Sequence, residues 1–318
     1  MIPGMRRQRV LRGLLALLPA ALLAAALYYT GALGSLHQVV LRVAPGIWLL
    51  ALAGQMLSYS ARAVRLMTSE RGRYRDRFWT CLRLILVNNA LNLALPLRTG
   101  EASFPLLLRR WFGVDLAQAS GTLIWMRLLD LQVLALAALI SVQALHAVPG
   151  GAAWRAAMLA LCAAPVLLWA AQAPLLRNLG DGRIAGIARR VLAGMPSRLP
   201  TLLQAWLWTL ASWGVKLAVL GQLLAALIHT SAPVGVLGAI GADLSTVLPL
   251  HAPGGFGSFE AALIAFVGAY VKPGTELLAA ALAFHLFVLG FALLAGIAAW
   301  LSPGMPRPIA TTEKGLPS

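Results

Sequence analysis

Charged residues are scarce in this sequence. Only 11% of its 318 residues are charged, against about 25% in a typical soluble domain. Hydrophobic residues make up 60% of the chain, and the mean hydropathy is +0.80. A soluble protein of this size could not bury so much apolar surface, so a soluble enzyme, a fibre and a disordered chain are excluded. Several apolar runs reach the ~18–20 residues that cross a bilayer as a helix, which predicts an all-α polytopic membrane protein.

Cysteine and acidic residues are also few. Cys81 and Cys162 lie in apolar runs without paired spacing, so neither a disulfide nor a metal site is predicted. The 10 Asp and Glu are outnumbered by 26 Lys and Arg, which gives a net charge of +16. This charge lies mostly between apolar runs, which favours positive-inside topology and membrane lipids as partners over nucleic acid. No nucleotide-binding loop or hydrolase motif occurs, so no cofactor, catalytic residue or enzyme activity is predicted.

The basic segments predict how the chain threads the membrane. The segments 71–77, 109–110 and 177–198, the tail 303–318 and both termini are expected on the cytoplasmic side. Residues 1–302 are expected to form a single transmembrane domain, with an outward-facing loop near His37 and Arg42. Six full spans are predicted, at 13–33, 45–67, 115–145, 152–173, 200–228 and 275–301.

Two further segments, 78–110 and 233–271, must each enter and leave on one side, so they are predicted to be opposed hairpins. Pro, Gly and charge at both tips favour re-entrant hairpins over paired short spans. Such backbone survives at membrane depth only when it is buried in protein or lines a wet cavity. The units 78–145 and 233–301 also resemble each other, since LPLR precedes Glu101 as LPLH precedes Glu260. This similarity predicts an inverted repeat, with chance similarity as the alternative.

Eight charged residues fall at membrane depth in this segmentation. An unpaired charge there costs about 2.5–3.5 kcal/mol or more, and four basic against four acidic residues suggests pairing. Arg127 and Asp130 lie three apart on one helix and can meet, while Lys216 and Asp243 could meet across helices. The eight residues are Arg83, Arg98, Arg127, Lys216, Glu101, Asp130, Asp243 and Glu260.

Two sequence blocks at the hairpin tips resemble motifs of a known family. NNALNLALPLRTGE (88–101) and PGGFGSFEA (253–261) are similar to the lysylphosphatidylglycerol synthase transmembrane-region family, also called the flippase-like domain family. The resemblance covers about residues 10–302. It implies a protein of the bacterial inner membrane that moves a lipid or lipid-linked headgroup between leaflets. The soluble aminoacyl-transferring domain of the best-known member is not expected here, because only a short tail follows.

The leading hypothesis is therefore a translocase for an anionic or zwitterionic phospholipid or lipid-linked headgroup, without its own ATPase. The alternatives are a membrane-embedded transferase acting on a lipid carrier and a non-transporting scaffold that binds a lipid-synthesis enzyme. The predicted substrate-binding residues are Arg98, Glu101, Arg127, Asp130 and Glu260. The backbone expected to shape or hinge the cavity is at Pro96, Gly100, Gly254, Gly255 and Gly257.

Within this hypothesis the arginines and carboxylates have different roles. Arg98 and Arg127 are expected to contact the headgroup phosphate through charge-assisted hydrogen bonds. Glu101, Asp130 and Glu260 are expected to bind a cationic group or a coupling proton, or to neutralise the arginines when the site is empty. The alternative for Arg127 with Asp130 is an internal ion pair that orients a helix.

Overall fold

The computed structural model describes residues 23–25, 27–29, 31–68, 77–147, 150–180, 182–245 and 253–303, without the side chains of 96–98. All regular structure in these residues is helical, which confirms the predicted all-α class. The delimited helices are α1 (Ala32–Arg42), α2 (Pro45–Thr68), α3 (Phe78–Ala94), α4 (Ser103–Phe112), α5 (Leu116–Ala144), α6 (Ala152–Ala170), α7 (Gln172–Asn178), α8 (Arg183–Leu192), α9 (Leu199–Leu227), α10 (Ala232–Ser245), α11 (Ser258–Val267) and α12 (Thr275–Leu301). Most of the predicted span 13–33, most of the loop 71–77 and the tail from 304 lie outside the described residues.

Four helical segments of the described chain are long and apolar enough to cross a membrane: α5, α6 continued by α7, α9 and α12. A fifth is added if α1 and α2, which meet at a bend of 89°, are counted as one span. These segments coincide with the predicted spans from 45 onward. Asp115 caps the start of α5 by accepting hydrogen bonds from the N–H groups of Ala117 and Gln118.

Two predicted loops are helices instead. The loop expected near His37 and Arg42 is α1, whose apolar side packs against α12. The basic segment 177–198 contains α8, which packs against α5. Both segments are amphipathic, with polar residues on one helical face and apolar positions that recur at helical spacing. Charge along the sequence indicates a loop in such a segment, because it does not reveal this spacing.

The two predicted hairpins are helix–turn–helix units whose tips lie in contact. In the first, α3 ends before a 310 turn at Pro96–Ala102 that leads into α4. In the second, α10 precedes a 310 turn at Pro253–Gly255 that leads into α11. The ten-residue helices α4 and α11 are each about 15 Å long, half of the ~30 Å hydrocarbon core. Neither can cross a bilayer alone, which agrees with the re-entrant interpretation, and the two turns pack against each other.

The core of the bundle lies where α9 packs against α2 and α10, and where α12 packs against α3. Small residues permit these close approaches. A Cβ at Gly296 of α12 would overlap Ala90 of α3, and one at Gly221 of α9 would lie 2.5 Å from Val236 of α10. The long helices are thereby held at fixed spacing around the two hairpins.

Gly100 lies in the first turn, at a position where the structure leaves no room for a side chain. A Cβ there would overlap the carbonyl of Leu91 and lie 2.6 Å from the Cα of Asn92, both backbone atoms of α3. We expect Gly100→Ala to lower the free energy of unfolding by about 1–3 kcal/mol through overpacking. The matched control is Gly214→Ala in α9, where the added Cβ meets open space and helix propensity predicts a gain of about 0.5–1 kcal/mol. Unfolding in detergent micelles measures both, and equal effects would contradict the tight contact.

A charged cavity between the two hairpins as the candidate functional site

A cavity of about 400 Å³ lies where both hairpins meet the long helices. This size falls in the range of ordinary ligand sites, ~300–1,000 Å³. Its wall combines apolar residues with a few polar ones drawn from seven helices and the first turn. The lining residues are Tyr59, Arg62, Asn89, Asn92, Leu93, Glu101, Leu123, Ile124, Arg127, Leu128, Asp130, Leu131, Leu134, Trp213, Lys216, Asp243, Leu244, Phe259 and Val288.

Six ionisable side chains with formal charges line the cavity, three of each sign. The cations come from α2, α5 and α9, and the anions come from the first turn, α5 and α10. Charges at membrane depth are costly, and they mark substrate or ion paths in membrane proteins. The six are Arg62, Arg127, Lys216, Glu101, Asp130 and Asp243.

Asp130 is the centre of a buried hydrogen-bond network. Its Oδ1 accepts from Arg65 Nη1 at 2.6 Å and from Trp213 Nε1 at 2.9 Å, while Arg127 Nη1 lies 3.6 Å from Oδ2. Arg65 also donates to Thr209 Oγ1 at 3.0 Å. Asp130 and Arg65 are both buried. This network ties α2, α5 and α9 together behind the cavity.

Two further ion pairs join the hairpins to the long helices. Arg127 Nε of α5 lies 3.1 Å from Glu101 Oε1 in the first turn, and both side chains remain partly exposed. Lys216 Nζ of α9 lies 2.7 and 2.8 Å from the two carboxylate oxygens of Asp243 in α10. Each hairpin therefore presents one carboxylate to a cation of a neighbouring long helix.

Among the described aromatic side chains, Arg62 contacts two rings, whereas Lys216 contacts the Trp213 ring alone. Its guanidinium carbon lies 4.7 Å from the ring centroid of Trp213 and 5.6 Å from that of Tyr59. Tyr59 is itself held by a 2.6 Å hydrogen bond from Asn89 Nδ2. The buried Nε and Nη2 of Arg62 have no hydrogen-bond partner among the described residues. A positioned guanidinium with unused donors suits an anionic group.

The second hairpin tip is held by a buried clasp formed by Glu260 and His285. Glu260 Oε2 accepts from the N–H of Gly257 at 2.8 Å, and Glu260 Oε1 lies 2.6 Å from His285 Nδ1. His285 Nε2 lies 2.8 Å from the Gly254 carbonyl, which can only accept, so Nε2 carries a proton. The turn has φ of 71°, 78° and 87° at Gly254, Gly255 and Gly257, the left-handed region that glycine adopts without strain.

Glutamine can replace glutamate in this clasp, and alanine cannot. In Glu260→Gln the amide NH₂ can donate to neutral His285 Nδ1 while the amide oxygen keeps the Gly257 bond. We therefore expect a change in the free energy of unfolding below about 1 kcal/mol, against a loss of about 2–3 kcal/mol for Glu260→Ala. Thermal unfolding in detergent distinguishes the two. A large loss in both variants would show that the clasp needs a carboxylate.

The structure brings three of the predicted substrate residues together and separates a fourth. Glu101, Arg127 and Asp130 all line the cavity, whereas Glu260 is not among the lining residues and contacts His285 instead. The Arg98 side chain lies outside the described part, so its expected contact with the headgroup phosphate stays a prediction. The hinge role of the glycines also stays a prediction, and the structure assigns them a tightly held turn.

Sequence reasoning missed Arg62 and Arg65. Their closeness to the basic loop 71–77 placed them at the cytoplasmic end of a span, where positive charge needs no other explanation. A signal was nevertheless present, since Tyr59 and Arg62 are spaced to share one face of α2. Asn88 and Asn89 behave as expected of polar residues between membrane helices, with Asn88 donating to Ser103 Oγ at 2.8 Å.

Among the residues that the structure describes, no group of three or more His, Cys, Asp or Glu side chains could hold a metal ion. Residues 10–296 match the family model described as "Lysylphosphatidylglycerol synthase TM region". No curated protein and no solved structure matches the chain.

Proposed function

Because the chain belongs to the lysylphosphatidylglycerol synthase TM-region family, a family of lipid-handling membrane proteins, we propose that it moves an anionic or zwitterionic lipid between leaflets. The observation that carries this proposal is the cavity, in which six charged side chains from the first turn, α10 and the long helices meet. Such a site gives a polar headgroup a partner of either sign at membrane depth, where bare hydrocarbon gives it none.

The shape of the wall supports a lipid rather than a free solute. Ile124, Leu128 and Leu131 of α5 line the cavity and keep 49%, 36% and 53% of their surface exposed. They follow one another at helical spacing, so they form an apolar stripe beside the polar interior. A lipid can therefore place its headgroup among the charges and leave its acyl chains along α5 in the bilayer.

The six formal charges of the cavity wall sum to zero. Ion pairs such as Arg127 with Glu101 neutralise the wall until a headgroup arrives, which avoids the cost of an unpaired charge. An incoming headgroup then exchanges these partners for its own phosphate and, where present, its ammonium group. The partly exposed Arg127–Glu101 pair, at 39% and 25%, is the one best placed to open.

Arg127→Ala tests the proposal through leaflet movement of a labelled phospholipid in reconstituted vesicles. We expect the rate to fall about 10- to 100-fold, because a charge-assisted hydrogen bond contributes about 1.5–3 kcal/mol. The matched control is Arg42→Ala, which removes another partly exposed arginine, 3.4 Å from Glu276 and outside the cavity wall, and should leave the rate unchanged. Equal rates for wild type and both variants, or no protein-dependent movement at all, would reject the proposal.

A further inference from the structure

A second, smaller pocket of about 50 Å³ adjoins the main cavity between α2, α3 and α5. A site needs ~10–15 Å³ on this scale to hold one water, so the pocket has room for a compact group of a few atoms. The residues that it shares with the main cavity are Arg62, Asn89, Asn92, Leu123, Arg127 and Asp130. The complete lining is Arg62, Arg65, Ile85, Asn88, Asn89, Asn92, Phe104, Leu123, Met126, Arg127 and Asp130.

Two residues that line this pocket have buried hydrogen-bond donors without partners. Arg62 Nε and Nη2 and Arg65 Nε are buried and lack hydrogen-bond partners in the described part of the chain. An unsatisfied buried donor costs about 1–3 kcal/mol, so three such donors at one pocket require explanation. Each is an N–H of a guanidinium, a group that cannot accept a hydrogen bond and cannot lose its charge.

The formal charges of the residues that line this pocket do not balance. Three lining residues are arginines, and Asp130 is the carboxylate among the lining residues. Asp130 already accepts from Arg65 and from Trp213. The described lining of this pocket therefore carries a net positive charge, whereas the formal charges that line the main cavity sum to zero.

We propose that this pocket is the phosphate subsite of the headgroup cavity, with Arg62 and Arg65 donating to the phosphate oxygens. The inference rests on the proposed function and names the substrate class as phosphate esters of lipids. A phosphate is compact and anionic and accepts several N–H donors at once, which matches the volume, charge and free donors of the pocket. The remainder of the headgroup extends into the larger cavity towards Glu101 and Asp243.

Two features hold the arginines ready for such a group. The rings of Tyr59 and Trp213 flank the Arg62 guanidinium, and Asp130 with Thr209 fixes Arg65. Less side-chain freedom is then lost on binding. Arg62 makes no ion pair among the described residues, so its replacement removes binding energy without breaking an internal pair.

The subsite is tested by lipid binding to the purified full chain in phosphate-free detergent. The probes are dihexanoylphosphatidylglycerol, dihexanoylglycerol without a phosphate, and inorganic phosphate as competitor. We expect the wild type to bind the phospholipid and not dihexanoylglycerol. Arg62→Ala should bind the phospholipid about 10- to 100-fold more weakly, and Arg62→Lys should have an intermediate affinity. Arg83→Ala is the control, since Arg83 donates to Ser302 Oγ and the Pro303 carbonyl outside both pockets.

Equal binding of both lipids, or unchanged binding in a folded Arg62→Ala protein, would overturn the subsite. Displacement by inorganic phosphate would assign affinity to the free anion as well. Arg62-dependent binding without displacement would restrict the site to the lipid ester, and both results support the inference. Phosphate-dependent binding without leaflet movement would reject the translocase and keep the subsite. Leaflet movement that is unchanged in Arg62→Ala would reject the subsite and keep the translocase.

Discussion

Asp130→Ala is expected to lower the free energy of unfolding by about 3–5 kcal/mol, the usual cost of removing one partner from a buried ion pair. The carboxylate holds Arg65 at 2.6 Å and the Trp213 indole at 2.9 Å. Arg65 is only 4% exposed. Without the Asp130 carboxylate, its guanidinium stays buried and has lost this ion-pair partner. Chemical or thermal unfolding in detergent micelles measures the loss.

The control lies on the same helix. Asp115 is an exposed carboxylate that caps the start of α5, so Asp115→Ala should cost about 1 kcal/mol. If Asp130→Ala cost no more than this control, the network around Asp130 would not be what holds α2, α5 and α9 together.

The second large effect is expected at the pair that joins α9 to α10. Lys216→Met removes the ammonium 2.7 Å from Asp243, which is itself only partly buried. The carboxylate then faces the cavity without that partner, and we expect a loss of about 3 kcal/mol, at the lower end for a broken buried pair. The same unfolding measurement checks this value.

Removing both members of the pair separates stability from function. Lys216→Met combined with Asp243→Leu should recover most of the lost stability, because apolar residues of similar volume often replace a buried ion pair without cost. Leaflet movement should nevertheless stay impaired, since the cavity has lost two of its six charges. Wild-type movement in the double variant would show that this pair serves only the fold.

The sequence predicts the helical class and the broken segments well because both depend on local information. Apolar length defines the spans, and Pro96 and the glycines at 254, 255 and 257 lie in the turns where helices are interrupted. The same reasoning fails at α1 and α8. Polar and charged residues there indicate a loop, but each segment is an amphipathic helix.

The site is harder to predict because its contacts join distant residues. Equal numbers of buried cations and anions suggest pairing, but the partners follow from packing. Arg65 reaches Asp130 across 65 positions in sequence, and Arg127 meets Glu101 as well as Asp130. Glu260 is likewise buried against His285, 25 positions further along the chain, a contact that follows from packing.

The most direct test of the central claim is photo-crosslinking of a phospholipid that carries the reactive group on its headgroup, with the labelled peptides identified by mass spectrometry. The account predicts labelling of cavity residues in 59–62, 89–93 and 127–134, drawn from three different helices. A probe with the reactive group at the end of an acyl chain should instead label outward-facing residues such as Leu159 of α6, which is 70% exposed. Headgroup labelling confined to the basic helix α8 and its neighbouring loops, with none inside the cavity, would contradict the account.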